Sequence, residues 1–218
     1  METRASWERA LKANVLRYPS EAVVRWLAGA SQRVAKGCDA LDVGFGSGQH
    51  LQLFMDKGFR ANGTELLDAA LDIGRQVLGT SPLAGRLIKG DLDHPDLKDS
   101  SFHLVVAWGS VFLKPRDGIE WNLRQLHRLC APQGEVCLNF RSRDNWFCGL
   151  GEEIAPGFFR LDKRAADYSN YEYTFVDADE ARDLCRNAGF EIVNMERVEL
   201  WKDNMEKRHS WFVVWLRK

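Results

Sequence analysis

The sequence has no Cys-x-x-Cys pair, and its five cysteines, Cys38, Cys130, Cys137, Cys148 and Cys185, are odd in number. That excludes a zinc knuckle and a closed disulfide framework. It points to free thiols in a reducing compartment, and so to a cytoplasmic location. No run of 18 apolar residues occurs, so no helix is expected to span a membrane. The opening METRASWERALKANVLRYP is charged throughout and lacks the apolar stretch of a secretory signal. Net charge is also lacking: 30 Lys+Arg against 31 Asp+Glu leave −1. Without a basic field to concentrate a polyanion, a dedicated nucleic-acid binder is disfavoured. There is no internal repeat and no low-complexity tract. What remains is an ordinary globular composition, 45% hydrophobic, over a length of 218 residues that fits one domain.

The pattern along the chain is alternating. Residues 1–36 read as helical, with Trp7, Ala10, Leu11 and Val15 as one stripe. Pro19-Ser20 breaks them, and Ser20 is a suitable N-cap for a second helix. Strands are then expected at Ala40–Val43, Arg60–Glu65, Arg86–Asp91, Phe102–Trp108 and Glu135–Phe140. Helices are expected between them: one from Gln49, one capped by Asp68, and one carrying Ile119, Leu123, Leu126 and Leu129. Asp177 and Glu180 form a capping box for a further helix ending at Gly189. Two final strands, Glu191–Leu200 and Ser210–Leu216, have no helix between them and must pair antiparallel. The fold class is therefore α/β: a doubly wound, mostly parallel sheet with helices on both faces and an antiparallel last strand. Residues 142–176 resist assignment. They are too aromatic for disorder, with Trp146, Phe147, Phe158, Phe159, Tyr168, Tyr171 and Tyr173, and read as a cap inserted after strand five.

The most informative stretch is ALDVGFGSGQH, residues 40–50, a strand followed by a glycine loop that opens a helix. A nucleotide-triphosphate loop needs Lys-Ser or Lys-Thr after its last glycine, and Gln49-His50 stand there instead. A dinucleotide fingerprint needs a third small residue where this chain has Gln49. Asp42, two residues before Gly44, would also repel a pyrophosphate. It suits a ligand that carries positive charge.

This arrangement resembles motif I of the class I S-adenosylmethionine-dependent methyltransferases. Four further segments continue the resemblance over residues 38–141: Glu65 at the end of strand two, Asp91 at the end of strand three, FHLVVAWGSVF, and LHRLCAPQGEVCLNF. The resemblance implies a seven-stranded Rossmann-like sheet and S-adenosylmethionine as cofactor, with S-adenosylhomocysteine as product. It implies that Gly44, Gly46 and Gly48 meet the methionine carboxylate, Glu65 and Leu66 the ribose, and Asp91 and Leu92 the adenine. Trp108 and Gly109 would line the methionine side.

The acceptor is less determined. The Asn/Asp-Pro-Pro-Tyr/Phe box of base and glutamine N-methylating enzymes is replaced by Trp108-Gly109-Ser110-Val111, and no cytosine-C5 cysteine pattern occurs. With the neutral charge, this favours a small-molecule acceptor, such as a sugar or another biosynthetic intermediate, methylated on O or N. Methylation of a protein side chain, or a non-catalytic binding module on the same fold, are the alternatives. The family's strand order sets His209 near Arg141 and Arg143, as a candidate general base or simply a turn residue. Arg141, Arg143, Trp146, Tyr168 and Tyr171 are candidate acceptor contacts, the arginines for a carboxylate or phosphate. The other reading is a solvated charge run and the cap's own core. Tyr18 and Trp7 can close the site or merely pack helices. Asp93, His94 and Asp96 read as a polar loop, and no metal is expected.

Overall fold

The computed structural model describes Trp7, Glu8, Leu11 and residues 15–218. The apolar segments form five parallel strands: β1 Asp39–Val43, β2 Arg60–Glu65, β3 Ala84–Lys89, β4 Phe102–Ala107 and β5 Cys130–Ser142. They lie in the order β3-β2-β1-β4-β5. The last strand, β10 (Lys207–Arg217), pairs antiparallel with β5 on one side and with β9 (Glu191–Lys202) on the other. An inner position explains why SWFVVWL is apolar on both faces, and the edge position of β9 explains its charges.

Helices cover both faces. Ile119, Leu123 and Leu126 of α4 (Arg116–Leu129) and Ala181 and Leu184 of α5 (Ala178–Asn187) pack on Leu138, Phe140, Val214 and Leu216. On the opposite face α1 (Glu21–Ala30), α2 (Gln49–Asp56) and α3 (Asp68–Leu78) pack on Ala40, Ala61, Leu104, Val106 and Val213. The strand residues that meet each layer alternate, as the period-2 geometry of a strand requires. Chain direction across the sheet reverses between β1 and β4, which opens a crevice at their carboxyl ends.

Several details differ from the sequence reading. The sheet has ten strands among the described residues rather than seven. Residues 142–176 supply the other three: β6 Glu152–Ala155, β7 Phe158–Arg160 and β8 Glu172–Val176, joined antiparallel. This segment is more than a cap, because β8 hydrogen-bonds to β5 at Arg141↔Phe175 and Ser142↔Val176. The reason is local. Strand β4 ends at Ala107, opposite Leu138, and leaves the rest of that β5 edge unpaired. Backbone groups at a buried edge need partners, and β8 supplies them. Strand β3 starts two residues early and ends at Lys89, so Asp91 lies in the following turn. Ser20 occupies the N-cap of α1 without a side-chain capping bond, and Asp68 is the first helical residue of α3 rather than its cap. Val15 is non-helical and 45% exposed, so the expected stripe does not reach it; Ala10 lies outside the described residues. The Asp177–Glu180 capping box is present as expected.

The loop after β1 is pinned from below. Gly44, Gly46 and Gly48 all have positive φ, at 68°, 48° and 74°, a conformation that costs residues with a Cβ. Between them Phe45 turns inward and is buried. Its ring fills a slot between β2 and α3 that exists because Gly63 and Gly74 have no side chains. A Cβ on Gly63 would stand 2.5 Å from the ring, and one on Gly74 would stand 2.7 Å from it. Gly63→Ala is therefore expected to lower stability by about 1–3 kcal/mol through overpacking. Phe45→Leu in the same chain should recover part of that loss. Denaturant unfolding of the two single variants and the double variant measures this coupling, and strictly additive effects would contradict the slot.

Candidate functional site

The carboxyl edge of the sheet gathers the three acids singled out in the sequence. Asp42 ends β1 and is 1% exposed. Its Oδ2 has no hydrogen-bond partner, and the nearest ionisable nitrogen, His50 Nδ1, stands 3.7 Å away. Burial, and secondarily the charge of Glu65, pushes its carboxyl well above the usual carboxylate range. His50 gives no cationic help. Burial lowers it to about 4, and its Nε2 accepts from the Ser20 N–H at 3.3 Å. A buried acid without a counter-charge fits a ligand that brings one.

Glu65 ends β2 and ties the loop down. Its Oε2 accepts from Gly46 N–H at 3.1 Å, and its Oε1 from Leu66 and Leu67 N–H at 2.6 and 3.3 Å. Leu66 itself is exposed. Asp91, in the turn after β3, accepts from Leu92 N–H and from Lys114 Nζ, both at 2.8 Å. Leu92 is buried in the core beneath. After β4, Trp108 is half-buried, and Gly109 N–H donates to Asn139 Oδ1 of β5 at 2.7 Å. Apart from each glycine's own chain neighbours, nothing among the described residues lies within 4 Å of where a Cβ on Gly46 or on Gly109 would stand. The bare backbone at both places leaves room for a ligand to approach.

Four polar contributors escaped the sequence reading. Asn139 is the lone amide in the apolar strand segment VCLNF, a signal that was available. Ser110 Oγ is buried without a partner beside Gly44. Lys114 and Ser47 are legible only in space, Ser47 because its Oγ accepts from Leu16 N–H at 3.0 Å. That bond and the Ser20–His50 bond lay residues 15–20 across the glycine loop.

Asn139 and Arg141 share a face of β5, and the same face of β10 carries His209 and Trp211. Arg141 is 7% exposed, boxed by rings: its Cζ lies 4.1 Å from the Tyr173 centroid, 4.9 Å from Phe112, 5.2 Å from Phe147 and 5.8 Å from Trp211. Trp146 and Phe147 flank His209 at 6.0 and 5.4 Å between ring centroids, and Trp211 stacks on it at 5.9 Å. Tyr171 is buried, with Trp7 edge-on at 4.5 Å, whereas Tyr168 is partly exposed 5.0 Å from Phe147. Two of the sequence candidates stay outside this cluster. Arg143 is exposed and salt-bridged to Glu180 at 2.9 Å, and Tyr18 is 86% exposed. Asp93, His94 and Asp96 do not converge: His94 Nδ1 accepts from Asp96 N–H, and no metal-binding group of three acids, histidines or cysteines occurs among the described residues.

Two cavities lie elsewhere. One of about 370 Å³ opens at the opposite, amino-terminal edge of the strands, near Asp39, Arg60 and Gly85. Another of about 350 Å³ lies between α5 and β9, where Arg143, Arg182 and Arg197 are already paired with acids. Neither touches the glycine loop.

Residues 40–134 match the family model of a methyltransferase domain. This part of the chain is a methyltransferase domain. No curated protein matches this methyltransferase in sequence. Solved structures match it in fold. A methyltransferase from Methanosarcina mazei aligns at 17% identity and a TM-score of 0.71, over 92% of this chain and 98% of that one. The Burkholderia thailandensis 1,6-didemethyltoxoflavin-N1-methyltransferase, solved with its acceptor and S-adenosylhomocysteine, aligns at 18% identity and 0.67, over 91% and 78%. A Mesorhizobium loti methyltransferase aligns at 15% identity and 0.67, over 88% and 96%. At such identities the likeness of each is one of fold. No helix among the described residues of the methyltransferase is long and apolar enough to cross a membrane.

Should S-adenosylmethionine bind beside Asp42, its ammonium and sulfonium would bring the counter-charge that Asp42 lacks among the described residues. Because burial raises the free acid's pKa and a bound cation would lower it, binding should release protons between those two values. Affinity for S-adenosylmethionine should therefore rise with pH across that window. Calorimetry in buffers of different ionisation enthalpy measures the release. Asp42→Asn should abolish it and weaken binding about tenfold or more, the scale of a lost charge-assisted hydrogen bond. Unchanged proton release in the variant would remove Asp42 from the cofactor site.

Proposed function

We propose that the enzyme methylates an oxygen or nitrogen of a small molecule, such as a sugar or another biosynthetic intermediate, bound beside β5, β10 and the 142–176 segment. The single observation that supports this most is the aromatic seal. Phe112, Phe147, Leu161, Ala165, Tyr171, Tyr173 and Phe175 form their own buried cluster above the sheet edge. A protein side chain presented on a folded surface calls for an open groove, and a sealed aromatic wall favours an acceptor that is swallowed whole. The bound acceptor of the toxoflavin-pathway neighbour is likewise a small molecule. The five free cysteines suit a reducing compartment, which is why we place the enzyme in the cytoplasm.

In this reading the backbones of Gly44, Gly46 and Gly48 face the methionine carboxylate. Asp42 balances the ammonium, and Glu65 with Leu66 holds the ribose. Asp91 and Leu92 frame the adenine, while Trp108 and Gly109 border the methionine chain toward Asn139. The cofactor, when bound, supplies a methyl group already activated on a sulfonium. The protein's task is alignment and exclusion of water. The acceptor's lone pair forms the new bond to the methyl carbon, the C–S bond breaks, and its electron pair stays on sulfur. The acceptor's proton passes to a base.

His209 is the candidate base. Burial first, then the charges of Lys202 and Arg141, lower its pKa to about 4, so the imidazole is neutral and able to accept. Its low basicity suits a proton held by hydrogen bond until the acceptor atom becomes positively charged.

Incubation with methyl-labelled cofactor and fractionated metabolites should label small molecules, and labelling confined to protein would overturn the proposal. His209→Ala should lower kcat by about 10²–10⁴, the range for general-base loss, with S-adenosylhomocysteine affinity nearly unchanged. Because the neutral ring is the active form, the rate through His209 should stay level from pH 8 down past 6.5 and fall only toward pH 4. A wild-type rate in the variant would eliminate the base assignment.

A further inference from the structure

Arg141 stands out among the buried polar groups of this chain. Its guanidinium lies inside the protein, yet no acid among the described residues pairs with it. Among the described residues Nε and Nη1 have no hydrogen-bond partner, and Arg141 makes a side-chain bond to Tyr173. Its other neighbours are the faces of Phe112, Phe147 and Trp211. Burial lowers its pKa, but a guanidinium remains charged at any physiological pH. By contrast Arg143, two residues on, is exposed and satisfied by Glu180. A purely structural arginine is expected to look like Arg143, with its donors used.

Position adds a second argument. Arg141 lies two residues beyond Asn139 on one face of β5, which is about 7 Å along a strand. Asn139 holds Gly109, the residue read above as the border of the methionine chain. His209 reaches the same space from β10. The orphaned cation therefore sits beside the reacting end of the site and within the aromatic wall that would enclose an acceptor.

We propose that Arg141 binds a carboxylate carried by the methyl acceptor, with the planar body of that acceptor against the surrounding rings. The inference rests on the small-molecule reading above. A monoanion is favoured over a phosphate dianion by charge balance. One buried cation neutralises one negative charge, and the nearby lysines of the β9–β10 turn, Lys202 and Lys207, lie at the exposed or half-exposed rim. The carboxylate would use the free N–H groups as charge-assisted hydrogen bonds. An uncharged analogue would leave them unmade, a loss that sites built for a polar group punish strongly.

The test uses the full chain saturated with S-adenosylhomocysteine and two isosteric probes, 4-hydroxybenzoate and 4-hydroxybenzamide. Binding is read by quenching of tryptophan fluorescence, Trp211 lying beside Arg141. The acid should bind at least ten times more tightly than the amide. Arg141→Met should erase that preference while S-adenosylhomocysteine affinity stays within twofold, and Arg141→Lys should retain a reduced preference. Equal binding of the two probes, no binding of the acid, or a preference that survives in Arg141→Met would overturn the proposal. Should Arg141→Met fail to fold, the wild-type preference and its reduction in Arg141→Lys still decide. The identified acceptor separates the two levels of inference. Methyl label entering an uncharged small molecule refutes the carboxylate and leaves the small-molecule reading standing. Label confined to protein refutes that reading, whatever the probes do.

Discussion

The ring of Phe45 is the contact on which the site depends. A loop of alternating glycines is entropically loose, and glycine loses more freedom on folding than any other residue. Phe45 compensates by burying an aromatic side chain, which contributes on the order of 1.5–3 kcal/mol. It can do so because Gly63 and Gly74 leave a slot beneath the loop. With the ring seated, Gly44 N–H reaches Thr64 O at 2.9 Å, and Gly46 N–H reaches Glu65 at 3.1 Å. The permissive residues are thus held by the one bulky residue among them, and their backbone faces the crevice where chain direction reverses.

Two buried ionisable groups flank that crevice without a counter-ion among the described residues: Asp42 at the end of β1 and Arg141 at the end of β5. An unpaired buried ion is costly, and Asp42 answers by holding its proton more tightly. Such groups persist at functional sites because a ligand supplies the missing partner. The surrounding fold tolerates them through extensive pairing elsewhere, as in the Arg33–Glu135 contact that ties the turn after α1 to β5 at 2.6 Å. The same logic separates Arg141 from Arg143, two neighbours in sequence with opposite environments.

The 142–176 segment shows how a sheet edge recruits structure. Strand β4 stops early, Asn139 uses its amide to satisfy Gly109, and β8 then takes the next two positions of β5. One side of β5 therefore serves three partners in succession, and the candidate site residues Asn139 and Arg141 sit at the changeover. The aromatic cluster follows, because β8 carries Tyr173 and Phe175 directly beside Arg141.

The sequence by itself determined the parallel core, its helices and the antiparallel final pair, because hydrophobic period and turn residues are local signals. It also determined the positions of Asp42, Glu65 and the glycine loop, since a strand end followed by glycines is legible in a row of letters. Asp91 was located to within a turn. Strand β8 was not legible, because the edge it completes belongs to a strand some thirty residues earlier. Nor were Lys114, Ser110 and the bonds of residues 15–20 to Ser47 and His50, each a contact between distant parts of the chain. Only the tertiary structure decided which arginine turns inward and which turns out. Burial and pairing are properties of what surrounds a side chain, and the surroundings of Arg141 come from β8, β10 and a turn after β4.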